Sequence, residues 1–470
     1  MTDTEICYLS ARRLASAYHR RKLSPVEVIN AVLNRIETLN PKVNAFCALV
    51  PDEARKQAKA AETALMRKKK VGPLCGIPVS IKDLIFTAGI RTTGGSRIYE
   101  HFVPEQDETA VARLRAAGAI ILGKTNTPEF GYKAVTDNPL FGITRNPWNP
   151  EKTPGGSSGG AAAAVAGGMG PLALGSDGGG SIRIPSSFSG VFGHKPSFGR
   201  VPKYPTFPGW ETLSHTGPIT RTVADAALML DIITGPDPRD RHSLPPESGT
   251  YSGGLRRSVK GTRIAWSPDL GYAVVDPEVR DITTGAAKLF RKVGCKIEEL
   301  NPHLESPEEC FVTMVMCEFS ASLGSALEEW RDKMDPRLVT FVEMGKGLSA
   351  RDYLDATFRR KEFNASVQKI FERFDFLLCP TVASPPFTAG KMAPETVAGR
   401  QLSPIGWMPF TYPFNLTGQP AASVPCGFTS DGLPVGLQIV GRHHDDIGVL
   451  RMAAAFERIK PWAEFRPPLD

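Results

Sequence analysis

The sequence is poor in the residues that build metal and disulfide sites, and those it has are scattered. Eight cysteines stand at positions 7, 47, 75, 295, 310, 317, 379 and 426 with no C-x-x-C pair, and none of the eight histidines falls at zinc-ligand spacing. This excludes a zinc-ribbon or disulfide-scaffold plan and reads the cysteines as small buried hydrophobes of a reducing compartment. Met1–Lys22 lacks the basic-then-apolar plan of a secretory leader. The longest weakly polar stretch, Gly159–Gly175, is interrupted by glycines and a proline and falls short of a membrane span. There is no repeat period, no low-complexity tract and no alternation of arginine with aromatics. Net charge is +7 over 470 residues, a mild excess. Its one dense run, Arg67-Lys68-Lys69-Lys70, closes a helical segment where cations suit the negative helix end. These absences predict a cytoplasmic protein with no metal, no cofactor, no nucleic-acid partner and no membrane partner.

What is present is punctuation: 45 glycines and 40 prolines, partly clustered. The length exceeds that at which one hydrophobic core usually stops growing, so it allows two or three units, or one large domain carrying an insertion. Ser24-Pro25-Val26-Glu27 has the chemistry of a helix start, with a capping serine, a proline at the first helical position and a glutamate closing the box. A second helix is expected from about Asp52 to Lys69. After Gly76 strands alternate with helices. Ile77–Ile81 is a short strand that delivers Lys82 and Asp83 at its end, and 119–122 and 172–174 read as strands buried on both faces. Residues 236–256, rich in proline and glycine, read as loop or linker. Further strands are expected at 263–266, 296–300, 377–380, 422–424 and 435–440, with helices over 277–293, 308–331, 350–374 and 446–458. The class is α/β with a mixed sheet. An N-terminal helical segment, 1–70, is expected to pack on one α/β domain, 71–470.

Two glycine-serine clusters stand out, Pro154-Gly155-Gly156-Ser157-Ser158-Gly159-Gly160 and Gly178-Gly179-Gly180-Ser181-Ile182-Arg183. As flexible surface loops they would not be flanked by Ala161–Val165 and Leu172–Leu174, because glycine set in apolar sequence means close backbone approach or a positive φ. A phosphate loop would need a lysine directly after the glycines, where alanines stand instead. Gly156-Ser157-Ser158-Gly159-Gly160 formally fits G-x-S-x-G with Ser158 as nucleophile, but that elbow needs a strand running into it. Asn146–Pro154 holds three prolines and cannot be one. Histidines for a triad are few: His194 and His215 read as loop residues, and His443 and His444 open the last helix. A serine can instead use a lysine kept neutral by burial. Lys82, at the end of a buried strand, fits by position. An ion pair with Asp83 is awkward, since adjacent strand residues face opposite ways.

Gly155–Gly160 followed by Gly175-Ser176-Asp177-Gly178-Gly179-Gly180-Ser181-Ile182-Arg183-Ile184-Pro185 resembles the signature of the amidase signature family. Gly76–Asp83, Gly123-Lys124-Thr125-Asn126, Arg145–Trp148 and Gly418-Gln419-Pro420-Ala421 extend the resemblance over about residues 5–465. It implies a large mixed, mostly parallel twisted sheet covered by helices on both faces. It implies that Ser181 attacks the carbonyl carbon, that Ser157, in a cis peptide, relays the proton, and that neutral Lys82 receives it and returns it to the leaving nitrogen. The amides of Gly178, Gly179, Gly180 and Ser181 are then expected to face the oxyanion. Gly178 is a departure, since the family more often carries Thr or another side chain there, and the change is expected to loosen the loop or open space near the acyl group. Ser158 is expected within the Lys82 cage, and Asp177 with Arg183 is expected as an ion pair beneath the loop.

Family members cleave amides, and some cleave esters or carbamates. One subgroup is the glutaminase subunit of the tRNA-dependent amidotransferase, with a Lys-Arg-Arg-Ile-Met-x-Gly-Thr block that Arg359-Arg360-Lys361-Glu362-Phe363 does not reproduce. A catalytically silent binding protein of the same fold is the remaining alternative, opposed by the presence of Lys82, Ser157 and Ser181 together. Two aromatic, proline-rich loops, Tyr204–Trp210 and Trp407–Phe410, contribute Phe207, Trp210 and Trp407 as candidate pocket residues, joined by Tyr132. With no arginine in those loops to hold a carboxylate, the expected substrate is an uncharged small-molecule amide with an aryl or alkyl acyl group. A homodimer is the expected assembly.

Overall fold

The computed structural model describes residues 1–469. Its first strands are β1 (Phe46–Leu49), β2 (Pro78–Lys82), β3 (Ile120–Thr125), β4 (Asp137–Asn138), β5 (Gly142–Ile143) and β6 (Leu172–Asp177). They are followed by β7 (Phe192–Lys195), β8 (His215–Thr220), β9 (Arg263–Trp266), β10 (Lys296–Glu299), β11 (Phe376–Pro380), β12 (Ala421–Phe428) and β13 (Pro434–Gly441). Among the described residues, eleven of these form one sheet in the order β1-β3-β2-β6-β8-β7-β12-β13-β11-β9-β10, and β4 pairs with β5 alone.

The sheet is mixed, as expected. Parallel pairing, expected to predominate, is gathered in two blocks, β3-β2-β6 and β11-β9-β10. The strands between them run antiparallel to their neighbours. The cause is local at β12 and β13: the Asp431-Gly432 turn joins them directly, and only a parallel pair needs a crossover helix.

Helices cover both faces, and strand alternation makes this visible. Phe376 and Leu378 enter one apolar cluster, with side chains from helices Pro25–Val43, Val223–Ile233 and Asp446–Ile459. Leu377 and Cys379 enter another, with side chains from helices Glu308–Leu323, Pro336–Lys346 and Ala350–Arg373. β2 is buried along its whole length, and β6 opens with the apolar run Leu172-Ala173-Leu174. The serine-capped helix start is present: Ser24 Oγ accepts from the Glu27 N–H, and the Glu27 carboxylate accepts from the Ser24 N–H.

The N-terminal segment is more integrated than a helical attachment, because β1 joins the main sheet beside β3. The 236–256 stretch is loop up to the short helix Tyr251–Gly254, and it is tied to the body: Thr109 Oγ1 donates to Asp237 Oδ2 at 2.6 Å, and Arg200 Nη1 donates to the Pro245 carbonyl at 2.8 Å. His194 and His215 lie in β7 and β8, not in loops. Glycine and proline inside these two strands hide them from a periodicity reading. Among the described residues no single helix is long and apolar enough to cross a membrane. Among the described residues Cys47, Cys75, Cys295, Cys310, Cys317, Cys379 and Cys426 form no disulfide.

Candidate active site

Lys82 ends β2, and Asp177 ends β6, its parallel neighbour. Chain that leaves the carboxyl ends of parallel strands is free to form a site there. After Asp177 the chain turns through Gly178–Ile182 into the helix Arg183–Ser189. The other serine loop precedes the helix Gly159–Ala166, and the Ser158 N–H donates to the Ser181 carbonyl at 3.1 Å, locking the two loops together. Lys82 and Ser157, 75 residues apart, meet at 2.6 Å between Nζ and Oγ.

Lys82 is fully buried, and no carboxylate forms an ion pair with it among the described residues. Its amine also donates to Ser176 Oγ at 3.0 Å. Burial pushes its pKa well below the usual lysine value, and the Asp177 charge offsets this only in part. Asp83 turns away, as strand alternation requires, and accepts from the Thr93 N–H and hydroxyl. Ser158 belongs to the cage at one remove. Its hydroxyl donates to the Ser176 carbonyl at 3.0 Å and accepts from the Ser176 N–H at 3.3 Å, which fixes the residue that holds Lys82. The Gly156–Ser157 peptide is cis.

Beneath the second loop Asp177 and Arg183 form the expected ion pair, both fully buried. Arg183 also reaches Gln438, Asn415 and the Thr411 carbonyl. Burial alone would raise the Asp177 pKa. The Arg183 charge and hydrogen bonds outweigh it and, with Lys195 and Asn415, hold the carboxyl well below the usual range. Asp177 Oδ1 accepts the Gly180 N–H at 2.7 Å. This corrects one expectation: the Gly180 amide is committed to shaping the loop, which leaves the amides of Gly178, Gly179 and Ser181 as oxyanion candidates. Gly180 has φ +128°, and a Cβ there would lie 2.4 Å from Thr411 Oγ1.

One cavity is lined by Ser157, Ser176, Ser181 and Gly178, with Leu84, Phe130, Phe207 and Trp210 as its apolar wall. Of the four aromatic candidates, Phe207 and Trp210 are therefore at the serines. Trp407 is not: it is buried in the core between Phe188 and Phe387, with ring centroids 5.8 and 5.0 Å away. Tyr132 is not among the lining residues either; its ring lies 5.3 Å from Lys133 Nζ, which pairs with Asp335. Neither an aromatic, proline-rich loop at Trp407 nor the position of Tyr132 soon after Asn126 decides where a side chain points, and the chain carries both away from the serines.

Glu108, Lys203 and Thr216 line the same cavity and were missed. Thr216 Oγ1 donates to Glu108 Oε1 at 3.3 Å, and burial lifts the Glu108 carboxyl to about 7. Glu108 opens the helix Thr109–Ala116, and nothing local separates it from an ordinary acidic helix start. The cavity is therefore not wholly apolar. His215 Nδ1 lies 3.1 Å from the Asp177 carbonyl and His194 Nε2 3.2 Å from Asp446, so both rings are spent on buried structural contacts.

Serine hydroxyls opening on one cavity, backed by a buried amine without a counter-ion, make the kind of site a histidine-free serine hydrolase requires. The chain belongs to the amidase family, whose model matches residues 27–450. It is 40% identical to an acylamidase of Rhodococcus erythropolis over 99% of this chain and 98% of that one. It is 36% identical to a glutamyl-tRNA(Gln) amidotransferase subunit of Chloroflexus aurantiacus over 99% of both chains. A solved bacterial aryl acylamidase of the amidase signature enzymes superposes with a TM-score of 0.92 at 34% identity, over 97% of each chain. The chain is an amide hydrolase.

Proposed function

We propose that the protein is a stand-alone acylamidase that cleaves uncharged aryl- or alkyl-acyl amides through an acyl-enzyme on Ser181. The observation that carries this reading is the 2.6 Å contact of the buried, unpaired Lys82 amine with Ser157 Oγ. Ser181 Oγ attacks the carbonyl carbon while its proton passes to Ser157 Oγ, whose own proton passes to Lys82 Nζ. The amides of Gly178, Gly179 and Ser181 receive the oxyanion. When the tetrahedral intermediate collapses, Lys82 returns the proton through Ser157 to the leaving nitrogen and the amine departs. Water then attacks the acyl carbon by the same relay in reverse, releasing the acid and free Ser181. Phe207 and Trp210 bound the acyl group; Glu108 and Lys203 line the same cavity, an acid beside a base, so no single sign of charge is asked of the substrate. The seven cysteines from Cys47 to Cys426, which form no disulfide among the described residues, fit a reducing compartment, and with it a cytoplasmic location.

The 36% identity to an amidotransferase component favours a second reading, a glutaminase that works with partner proteins. The segment Arg359–Phe363, which does not reproduce the glutaminase block, is the middle of a continuous helix, Ala350–Arg373. A fluorophosphonate probe together with an acyl-p-nitroanilide panel tests the main reading. Wild type is expected to be labelled and to turn over anilides, and Ser181→Ala to do neither. Labelling that survives Ser181→Ala, or turnover of glutamine alone, overturns it.

A further inference from the structure

The first glycine of the nucleophile loop, Gly178, has a physical occupant beside it. A Cβ at position 178 would lie 2.5 Å from Cε3, 2.8 Å from Cζ3 and 2.9 Å from Cδ2 of Trp210. All three atoms belong to the six-membered part of the indole, so the ring lies on the Gly178 backbone and fills the space that a side chain would take. The expected opening near the acyl group is thus closed by an aromatic ring supplied from another loop.

That ring is held from several sides. Trp210 Nε1 donates to the Phe130 carbonyl at 3.2 Å. Phe319 meets the indole edge-on at 5.5 Å between centroids, and Phe311 lies tilted at 6.4 Å. Trp210 takes a positive φ of 59°, uncommon for a bulky residue, and its carbonyl accepts from the Ser214 N–H at 3.1 Å. A side chain at 178 could not be accommodated by a small rotation of a free ring; it would have to expel an anchored one. The free space at the serines is correspondingly narrow, about 40 Å³.

We propose that Trp210, seated on Gly178, is the specificity-determining wall of the acyl subsite, restricting it to planar or unbranched acyl groups, and that a side chain at 178 and an indole at 210 exclude each other. This rests on the acylamidase reading above. A flat, rigid wall beside the reacting carbonyl admits a thin acyl group and rejects one branched next to that carbon. Discrimination by one or two methyl groups in such a pocket is typically about 10–200-fold.

The test is a cycle of Trp210→Ala, Gly178→Thr and the double variant, assayed on acetyl, benzoyl and pivaloyl p-nitroanilides, with thermal unfolding to verify folding. Trp210→Ala is expected to raise the pivaloyl-to-acetyl ratio of kcat/KM at least 10-fold, mainly through KM. Gly178→Thr alone is expected to lower kcat/KM on every substrate, and the double variant to return to within a few-fold of Trp210→Ala. An equal fall on all substrates in Trp210→Ala, or a double variant no better than Gly178→Thr, overturns the proposal. A second readout is independent of activity: the emission of Trp210, taken as wild type minus Trp210→Phe, should shift to the red in the Gly178→Thr background. An unshifted emission overturns the contact even if no anilide is turned over, whereas failure of the acylamidase reading appears as an inactive, unlabelled wild type.

Discussion

Replacing Lys82 by Met should abolish activity and yet stabilise the protein at neutral pH, with the stability difference reversing in alkali. Folding places this amine where its pKa is driven well below the ordinary lysine value by burial. A lysine that is neutral in the folded protein and has a pKa near 10.4 unfolded must release a proton to fold. That costs about 1.36 kcal/mol for each pH unit by which the medium lies below the unfolded pKa near 10.4, until the folded pKa is reached, so the cost is small at pH 10 and grows as the pH falls. The sign follows from proton counts: the unfolded state binds more protons here, so wild-type stability rises with pH. Methionine has similar length, escapes this cost, and forfeits the hydrogen bonds to Ser157 Oγ at 2.6 Å and Ser176 Oγ at 3.0 Å. Those bonds are worth about 1–1.5 kcal/mol each. Lys82→Met should therefore be less stable than wild type at pH 10, where the lost hydrogen bonds dominate, and should overtake it as the pH falls toward 7. Urea unfolding of both proteins at pH 7, 8, 9 and 10, with anilide turnover at each pH, measures this. A stability difference constant across the four pH values would refute the neutral-lysine reasoning, and retained turnover would refute the role of Lys82.

Ser157→Ala removes the hydroxyl that Lys82 touches and should cut kcat by about 10²–10⁴-fold with little change in KM, read from initial rates. Asp177→Asn leaves the Arg183 guanidinium buried without its counter-charge and should cost about 3–5 kcal/mol in urea unfolding. Because the Asp177 pKa is depressed, its contribution is present above about pH 4 and fades as pH falls below that, so the variant and wild type should converge in strong acid. Gly180→Ala sets a methyl 2.4 Å from Thr411 Oγ1 at φ +128° and should lower both stability, by about 1–3 kcal/mol, and kcat. A fully active, equally stable Gly180→Ala protein would mean that the loop is not held as described.

Part of the site is legible in the chain because its signals are local. A strand of apolar residues ending in lysine, and serines set in glycine between apolar runs, announce backbone that must pack closely and side chains delivered at strand ends. The helix start at Ser24 and the turn at Asp431-Gly432 are fixed by neighbours within a few residues. The mixed α/β class follows from the same periodicities, so these features need no knowledge of the rest of the fold.

The tertiary structure alone decided what depends on meetings between distant segments. It brought Phe207 and Trp210 to the serines and sent Trp407 into the core, although both loops read alike as aromatic and proline-rich. It turned His194 and His215 into buried strand residues and added Glu108 and Lys203 to the cavity, none of which carries a local mark. It bound the Gly180 amide to Asp177 and filled the space above Gly178 with an indole from residue 210. The sequence determined which backbone must be bare, because glycine is a local statement about close approach. What approaches it is a property of packing, which is set by every segment at once.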